Sequence, residues 1–175
     1  MNTFILSKDP KEAALFHCNK HVVKMILESA QMLCAAHWIH LLRAEGKDVG
    51  SFKRIRDAQA WAFANTPARL HPPWKMSHLR HPCTHWTSEN VSNYNWQLSL
   101  CESLLEQYTN RYDGKHHKTE VEAKWLRENK PLNMSDGTLT DFPVCMKDDF
   151  KIYTEDGIVD ICLLYTSDAA DDLLC

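Results

Sequence analysis

Four polar residues of different chemistry recur at helical spacing early in the chain. His21, Lys24, Glu28 and Gln31 supply an imidazole, an amine, a carboxylate and an amide. On a helix they would fall within about 80° of one another and form one stripe. An amine beside a carboxylate can serve acid–base or nucleophilic chemistry. A solvent-exposed helix face with a simple Lys–Glu pair has the same spacing, so the pattern alone leaves both interpretations open.

The helix that must position this stripe is the clearest element in the sequence. Apolar residues recur at steps of three and four from Val23 to Leu41, which predicts a helix over residues 20–42. Asp9 and Pro10 are typical of a helix start. The other expected elements are a short helix from Pro10 to about His17, helices over 51–65, from 88 to about 113 and over 118–128, a strand or extended chain over 2–7, an irregular loop over 66–87, and loop-like chain after Pro131.

Composition indicates a compact all-α fold with long irregular loops. Of 175 residues, 44% are hydrophobic and only 5 are Gly, whereas a β-sandwich needs more turn residues. We predict one domain over residues 1–161. No apolar run reaches the roughly 18 residues of a membrane span, and we see no export leader. Because the 7 Cys follow no disulfide framework, we expect reduced thiols and a cytoplasmic location in a bacterial or phage-infected cell. We also expect a monomer.

The last residues differ in origin from the rest. Residues 162–171 read CLLYTSDAAD, the peptide that a common transposase-based sequencing adapter encodes in this reading frame. We therefore expect residues 162–175 to be a non-native tail without a functional role. An ordinary acidic tail is the alternative.

Charge is unevenly distributed along the chain. Residues 1–130 contain 18 Lys and Arg against 13 Asp and Glu, whereas residues 131–175 contain 2 against 10. The net charge of −3 therefore hides a mildly basic first three-quarters. Contacts with DNA phosphates require such a basic surface.

A loop rich in His and Trp is a second candidate for nucleic-acid contact. Arg80, His81 and Trp86 could contact phosphates or stack on bases, and Asn93 and Tyr94 follow on the next helix. Core Trp residues beside ordinary surface His residues are the alternative interpretation.

A basic turn over residues 111–118 is a third candidate. Its Lys115, His116 and Lys118 suit phosphate contact, although simple solvation explains them equally well. Metal motifs are missing: the chain has neither paired Cys-x-x-Cys nor His-Glu-x-x-His, and it has no Gly-rich phosphate loop. We predict no metal site and no cofactor.

The most specific signal is a family resemblance. The segment KHVVKMILESAQML at residues 20–33, with Asp9-Pro10 before it and His81-Pro82, Trp86 and Asn93-Tyr94 after it, resembles the pyrimidine-dimer DNA glycosylases of the phage endonuclease V type. The resemblance covers about residues 1–118. It implies an all-α fold and excision of a damaged or modified pyrimidine from double-stranded DNA, with abasic-site cleavage as a further step. The base would be a pyrimidine dimer or a hydroxymethylated or glucosylated phage base, in DNA repair or phage defence.

The resemblance also implies roles for individual residues. Glu28 would be the catalytic carboxylate, and the α-amine of Met1, or of Asn2 after Met removal, would attack the sugar. Lys24 or water could attack instead. A free α-amine has a pKa near 7.7–8.0, against about 10.4 for Lys, so more of it is unprotonated at neutral pH. The residues expected to contact DNA are Lys20, His21, Gln31, Arg80, His81, Trp86, Asn93, Tyr94, Lys115, His116 and Lys118.

Two other classes of function fit the same sequence. A non-catalytic DNA-binding module, of phage or regulatory type, would bind DNA in a salt-dependent way and release no product. A metal-dependent nuclease would carry stoichiometric metal and lose activity with a chelator.

Overall fold

The computed structural model describes residues 3–143, 151–154 and 157–160. The elements in these ranges are the helices α1 (Pro10–Phe16), α2 (Asn19–Ala44), α3 (Ile55–Asn65), α4 (Pro82–Thr87), α5 (Val91–Arg111) and α6 (Glu120–Glu128), with 3₁₀ turns at Val49–Ser51 and Ala68–Leu70. Strands β1 (Lys151–Thr154) and β2 (Gly157–Asp160) pair antiparallel, with Lys151 opposite Asp160. The all-α prediction is confirmed, and the short hairpin after residue 150 is an addition to it. The predictions for Met1, Asn2 and the 162–175 tail lie outside the described residues.

The first two helices begin where the sequence predicts. Oδ1 of Asp9 accepts hydrogen bonds from the backbone N–H groups of Lys11 and Glu12, each at 2.9 Å, so Asp9 caps α1. Helix α2 runs for 26 residues and begins without a side-chain cap. Its length makes it the central element of the fold.

Helix α2 is more deeply buried than its predicted amphipathic pattern implies. From Glu28 to Leu42 every residue except Gln31 is buried. The reason is tertiary packing, because α4, α5 and α6 all contact this helix. One core lies between α1, α2, α5 and α6, and a second core joins the C-terminal part of α2 to α3. The predicted polar stripe is therefore accessible only in the first half of α2, where Gln31 is its last half-buried residue.

Residues 66–87 are more ordered than predicted. They contain a 3₁₀ turn and α4, and they bury Met76 and Leu79 in the second core. Nδ1 of His81 accepts from the N–H of Cys83 at 3.2 Å and caps α4, whose first residue is Pro82. The many Pro and His residues obscured this helix in the sequence.

Two helix starts also shift from their predicted positions. Helix α3 begins at Ile55, because Ser51 belongs to a 3₁₀ turn that Asp48 caps. Helix α5 begins at Val91, after Asn90, whose Oδ1 accepts from the backbone N–H of the third helical residue at 3.0 Å. Residues 131–143 form no helix or strand, as predicted. A membrane-spanning helix is not found within the described ranges.

Candidate active site

Glu28 and Lys24 lie one turn apart on α2 and form an ion pair. Nζ of Lys24 is 3.8 Å from Oε1 of Glu28. Only 10% of the Glu28 side chain is exposed, against 36% of the Lys24 side chain. Removing a carboxylate from water costs free energy that specific partners must offset. The pair therefore differs from the fully solvated Lys–Glu pair that the spacing also allowed.

The first described residues of the chain cross the same stripe. Phe4 stacks on His21, with ring centroids 4.7 Å apart and planes at 20°. The hydroxyl of Thr3 lies 3.4 Å from Sδ of Met32. His21 precedes Glu28 by two helical turns and Met32 follows it by about one turn. Thr3 and Phe4 thus bracket Glu28 along α2.

Gln97 joins this region from α5, and the sequence analysis missed it. Its Oε1 accepts a hydrogen bond from the Thr3 hydroxyl at 3.0 Å. The side chain is fully buried, and its Nε2 has no acceptor among the described atoms. A buried amide left without a partner costs about 1–3 kcal/mol. The available signal was a polar residue three positions after Tyr94 and four before Cys101, on the core face of α5.

His17 lies beneath the stripe and is electrically neutral at pH 7. Its Nδ1 donates to the backbone oxygen of Ala13 at 2.6 Å, and its ring contacts His21 edge-on with centroids 6.5 Å apart. Burial lowers the pKa of His17 to about 4, more than the Ala13 hydrogen bond raises it, and the charges of His21 and Arg111 lower it further. This imidazole is therefore a packing and hydrogen-bonding group.

Five of the predicted DNA-contacting residues are accessible on or near α2 and α4. Lys20 and Arg80 are exposed, whereas His21, Gln31 and His81 are half-buried. Burial lowers the pKa of His81, and the neighbouring His78 and His85 contribute in the same direction. The guanidinium of Arg80 donates to the backbone oxygen of Phe52, which ties Arg80 to the start of α3.

The basic turn packs against the start of α2. The guanidinium of Arg111 donates to the backbone oxygens of Leu15 and His17, and the Tyr112 hydroxyl donates to that of Asn19. These bonds bring the exposed residues of the turn to the same end of the molecule as Lys20. Those exposed residues are Lys115, His116 and Lys118.

Three predicted DNA contacts are corrected by the structure. Trp86 is 5% exposed and packs against Trp96 and Phe142. Asn93 is 0% exposed, and its amide donates to the backbone oxygen of Trp86 and to Glu89 and Thr140. DNA cannot reach either side chain, because both lie in the core.

Tyr94 is the third residue in this correction. Its hydroxyl donates to the backbone oxygen of Leu126 at 3.2 Å and lies 3.0 Å from Nε2 of His37. Since the hydroxyl proton goes to Leu126, Nε2 of His37 donates to Tyr94. Burial raises the pKa of Tyr94 and lowers the pKa of His37 to about 3.

Two cavities between described residues lie away from Glu28. A groove of about 470 Å³ separates α5 from α6, and a smaller one of about 240 Å³ lies beside His40 and Arg43. Across the ranges that the structure describes, no three His, Cys, Asp or Glu side chains converge to hold a metal ion. Cys18, Cys34 and Cys101, in the same ranges, form no disulfide.

Comparisons of the sequence and the fold with known proteins found no matching family model, no matching curated protein and no matching solved structure.

Proposed function

We propose that this chain is a DNA glycosylase that removes a damaged or modified pyrimidine from double-stranded DNA, with Glu28 as its catalytic carboxylate. One observation carries the proposal: the nearly buried Glu28 is paired with Lys24 and bracketed along α2 by Thr3 and Phe4. The resemblance of residues 20–33 to pyrimidine-dimer glycosylases gives this arrangement its interpretation. The substrate base is a pyrimidine dimer or a hydroxymethylated or glucosylated pyrimidine.

The proposed reaction breaks the bond between sugar C1′ and the base nitrogen. The base leaves with the bonding electrons, and positive charge develops on the sugar. The Glu28 carboxylate stabilises that charge at short range in a site largely removed from water. A nucleotide of the target pair must first leave the helical stack. Exposed Lys20 and half-exposed Lys24 are suited to hold the adjacent phosphates.

A nucleophile then takes the place of the base at C1′. The α-amine of Met1, or of Asn2 after Met removal, is our leading candidate, because more of it than of a Lys amine is unprotonated at neutral pH. Its attack forms a C1′–N bond, and opening of the sugar ring gives a Schiff base that permits strand cleavage. Lys24 could follow the same route. Attack by water would instead leave an intact abasic site.

The decisive experiment compares Glu28→Gln with Glu106→Gln, a change of the same type at an exposed position on α5. Both variants are assayed on ultraviolet-irradiated, hydroxymethylated and glucosylated duplexes for released base and alkali-labile sites. We expect Glu28→Gln to keep its circular dichroism and DNA affinity and to lose base release by about 10²–10⁴-fold. Glu106→Gln should match the wild type.

Two results would contradict the proposal. Base release by Glu28→Gln at the wild-type rate would remove Glu28 from catalysis. DNA binding without base release from any of the three duplexes would instead favour a non-catalytic DNA-binding module.

A further inference from the structure

All of the basic excess in the first 130 residues lies in one stretch. Residues 43–80, which we call the α3 lobe, contain 8 Lys and Arg against 3 Asp and Glu. The other residues of 1–130 contain 10 of each. The lobe is therefore the strongly charged part of an otherwise balanced surface, and it is built on the second core.

The fold gathers several of these charges into one cluster. Nζ of Lys47 lies over the Trp61 ring, 5.7 Å from its centroid. The Trp61 ring in turn contacts Phe52, with centroids 5.9 Å apart. Arg80, distant in sequence, donates to the backbone oxygen of Phe52. The end of α2, the start of α3 and the loop before α4 thus meet at these two aromatic rings. The basic cluster consists of Lys47, Lys53, Arg54, Arg56 and Arg80, all exposed.

Acidic neighbours balance this cluster only in part, because the lobe contains three acids, Glu45, Asp48 and Asp57. Asp57 serves two guanidinium groups, with Nε of Arg54 at 3.0 Å and Nε of Arg56 at 3.7 Å. Asp48 is engaged as a cap, because its Oδ1 accepts from the backbone N–H of Val49 at 2.8 Å. Concentrated exposed cations of this kind attract a polyanion.

The distance between the cluster and Glu28 allows one DNA duplex to reach both. Glu28 and Ala44, where α2 ends, are separated by about 24 Å along the helix axis, at about 1.5 Å per residue. This distance corresponds to about seven base pairs at 3.4 Å each. We infer that the α3 lobe is a second contact surface for duplex DNA and that its basic cluster binds phosphates flanking the target base. The inference rests on the proposed function for the choice of duplex DNA.

Two double variants with equal charge change test this inference. Lys53→Glu with Arg56→Glu reverses two charges in the basic cluster. Lys11→Glu with Lys124→Glu reverses two exposed Lys residues outside the lobe and is the control of equal charge change. Affinity for an unmodified duplex of 24 base pairs is measured by fluorescence anisotropy over a range of KCl concentrations, with circular dichroism to verify the fold.

We expect the cluster variant to bind at least about tenfold more weakly and to reduce the slope of log K against log salt by about 2, because two phosphate contacts are lost. The control should change affinity less than about threefold and keep the wild-type slope. Poly-glutamate, a flexible polyanion, should compete at least about tenfold less well than DNA at equal charge. Equal weakening by both variants, or equal competition by poly-glutamate, would overturn the inference.

This test separates the inference from the proposed function, because unmodified DNA offers no base to excise. If the two double variants differ as expected but no duplex releases a base, the glycosylase proposal fails and the contact surface stands. If base release depends on Glu28 and the double variants bind alike, the surface fails and the glycosylase proposal stands.

Discussion

Phe4 stacks on the imidazole of His21 and so fixes the first described residues of the chain to the helix that carries Glu28. Phe4 is 4% exposed, and Thr3 beside it is hydrogen-bonded to Gln97 on α5. Three elements therefore converge on the Glu28 region. If an amine at the chain start is the nucleophile, this stacking is what holds it in reach of the carboxylate.

Replacing Phe4 tests that anchoring. We expect Phe4→Ala to lower the free energy of unfolding by about 3–5 kcal/mol, because a buried aromatic side chain is lost. Base release should fall more than DNA affinity does. Urea denaturation measures the first effect. Phe16→Ala, at a side chain 57% exposed, is the control and should change stability by less than about 1 kcal/mol. Equal urea midpoints for the two variants would contradict a structural role for Phe4.

The amine can be identified by trapping. If catalysis passes through a Schiff base, borohydride should link the protein covalently to substrate DNA. We expect Lys24→Gln to retain the adduct, because an α-amine is more often unprotonated at neutral pH than a Lys amine. Mass spectrometry of the adduct should place it at the first residue. Loss of the adduct in Lys24→Gln, but not in the exposed-site control Lys11→Gln, would assign the chemistry to Lys24. Excision without any adduct would indicate water.

Much of the helical framework was predictable, because it depends on local signals. The Asp9 cap and the three- and four-residue apolar steps gave the starts of α1 and α2 within a residue or two. The burial of α2 from Glu28 onward was not predictable, since it arises when distant helices pack around it. The same holds for Thr3 and Phe4, whose positions depend on contacts with α2 and α5 and carry no periodic signal.

Residue type led to a wrong DNA-contact prediction where the polar group already has hydrogen-bond partners inside the fold. Asn93 is suited to read a base edge, yet its amide is used by Glu89, Thr140 and a backbone oxygen inside the fold. Gln97 shows the reverse: a polar residue in a core register is the better indication of a buried polar site. Arg80 was predicted to contact DNA; it is exposed, and its hydrogen bond to the backbone oxygen of Phe52 places it in the α3 lobe.

The Tyr94 hydroxyl should contribute to the stability of the fold and not to DNA affinity. Tyr94→Phe removes the acceptor for His37 and the donor to the Leu126 oxygen. We expect a loss of about 1–3 kcal/mol in the free energy of unfolding, because buried partners lose their hydrogen bonds. DNA affinity should stay within about twofold of the wild type. A large loss of affinity with unchanged stability would restore Tyr94 as a DNA contact.

Stability should fall in mild acid because of two buried imidazoles. Burial lowers the pKa of His37 to about 3 and of His17 to about 4, from an ordinary 6.5. Below pH 6.5 these two His residues bind protons in the unfolded chain but not in the folded chain. Their contribution to stability is therefore complete above pH 6.5 and is lost as the pH falls toward their folded-state pKa values. Each group contributes about 1.4 kcal/mol per pH unit in that window.

Urea denaturation at pH 7 and pH 5 measures this decline. His37→Gln should make the difference between the two pH values about 2 kcal/mol smaller than in the wild type, since one linked group is removed. His85→Gln, at an exposed position on α4, is the control. An unchanged difference in His37→Gln would show that His37 titrates alike in both states.

Arg111 belongs to the basic turn, but we expect its guanidinium to stabilise the fold and not to bind DNA. Its guanidinium donates at once to the backbone oxygens of Leu15 and His17 and to Oε1 of Gln107. A Lys ammonium keeps the charge but cannot reproduce this planar set of donors. Arg111→Lys should therefore cost about 1–3 kcal/mol of stability and leave DNA affinity within about twofold.

Lys115→Gln should show the opposite pattern. The Lys115 side chain is exposed, so stability should change by less than about 0.5 kcal/mol, whereas the salt slope of DNA binding should fall by about 1. Urea denaturation measures the stability of Arg111→Lys and Lys115→Gln. Fluorescence anisotropy over a range of salt concentrations measures the DNA affinity of the first variant and the salt slope of the second. If Arg111→Lys weakens DNA binding without loss of stability, the Arg111 guanidinium contacts phosphate. Its hydrogen bonds to the Leu15 and His17 oxygens would then not be needed to hold α1 and α2 together.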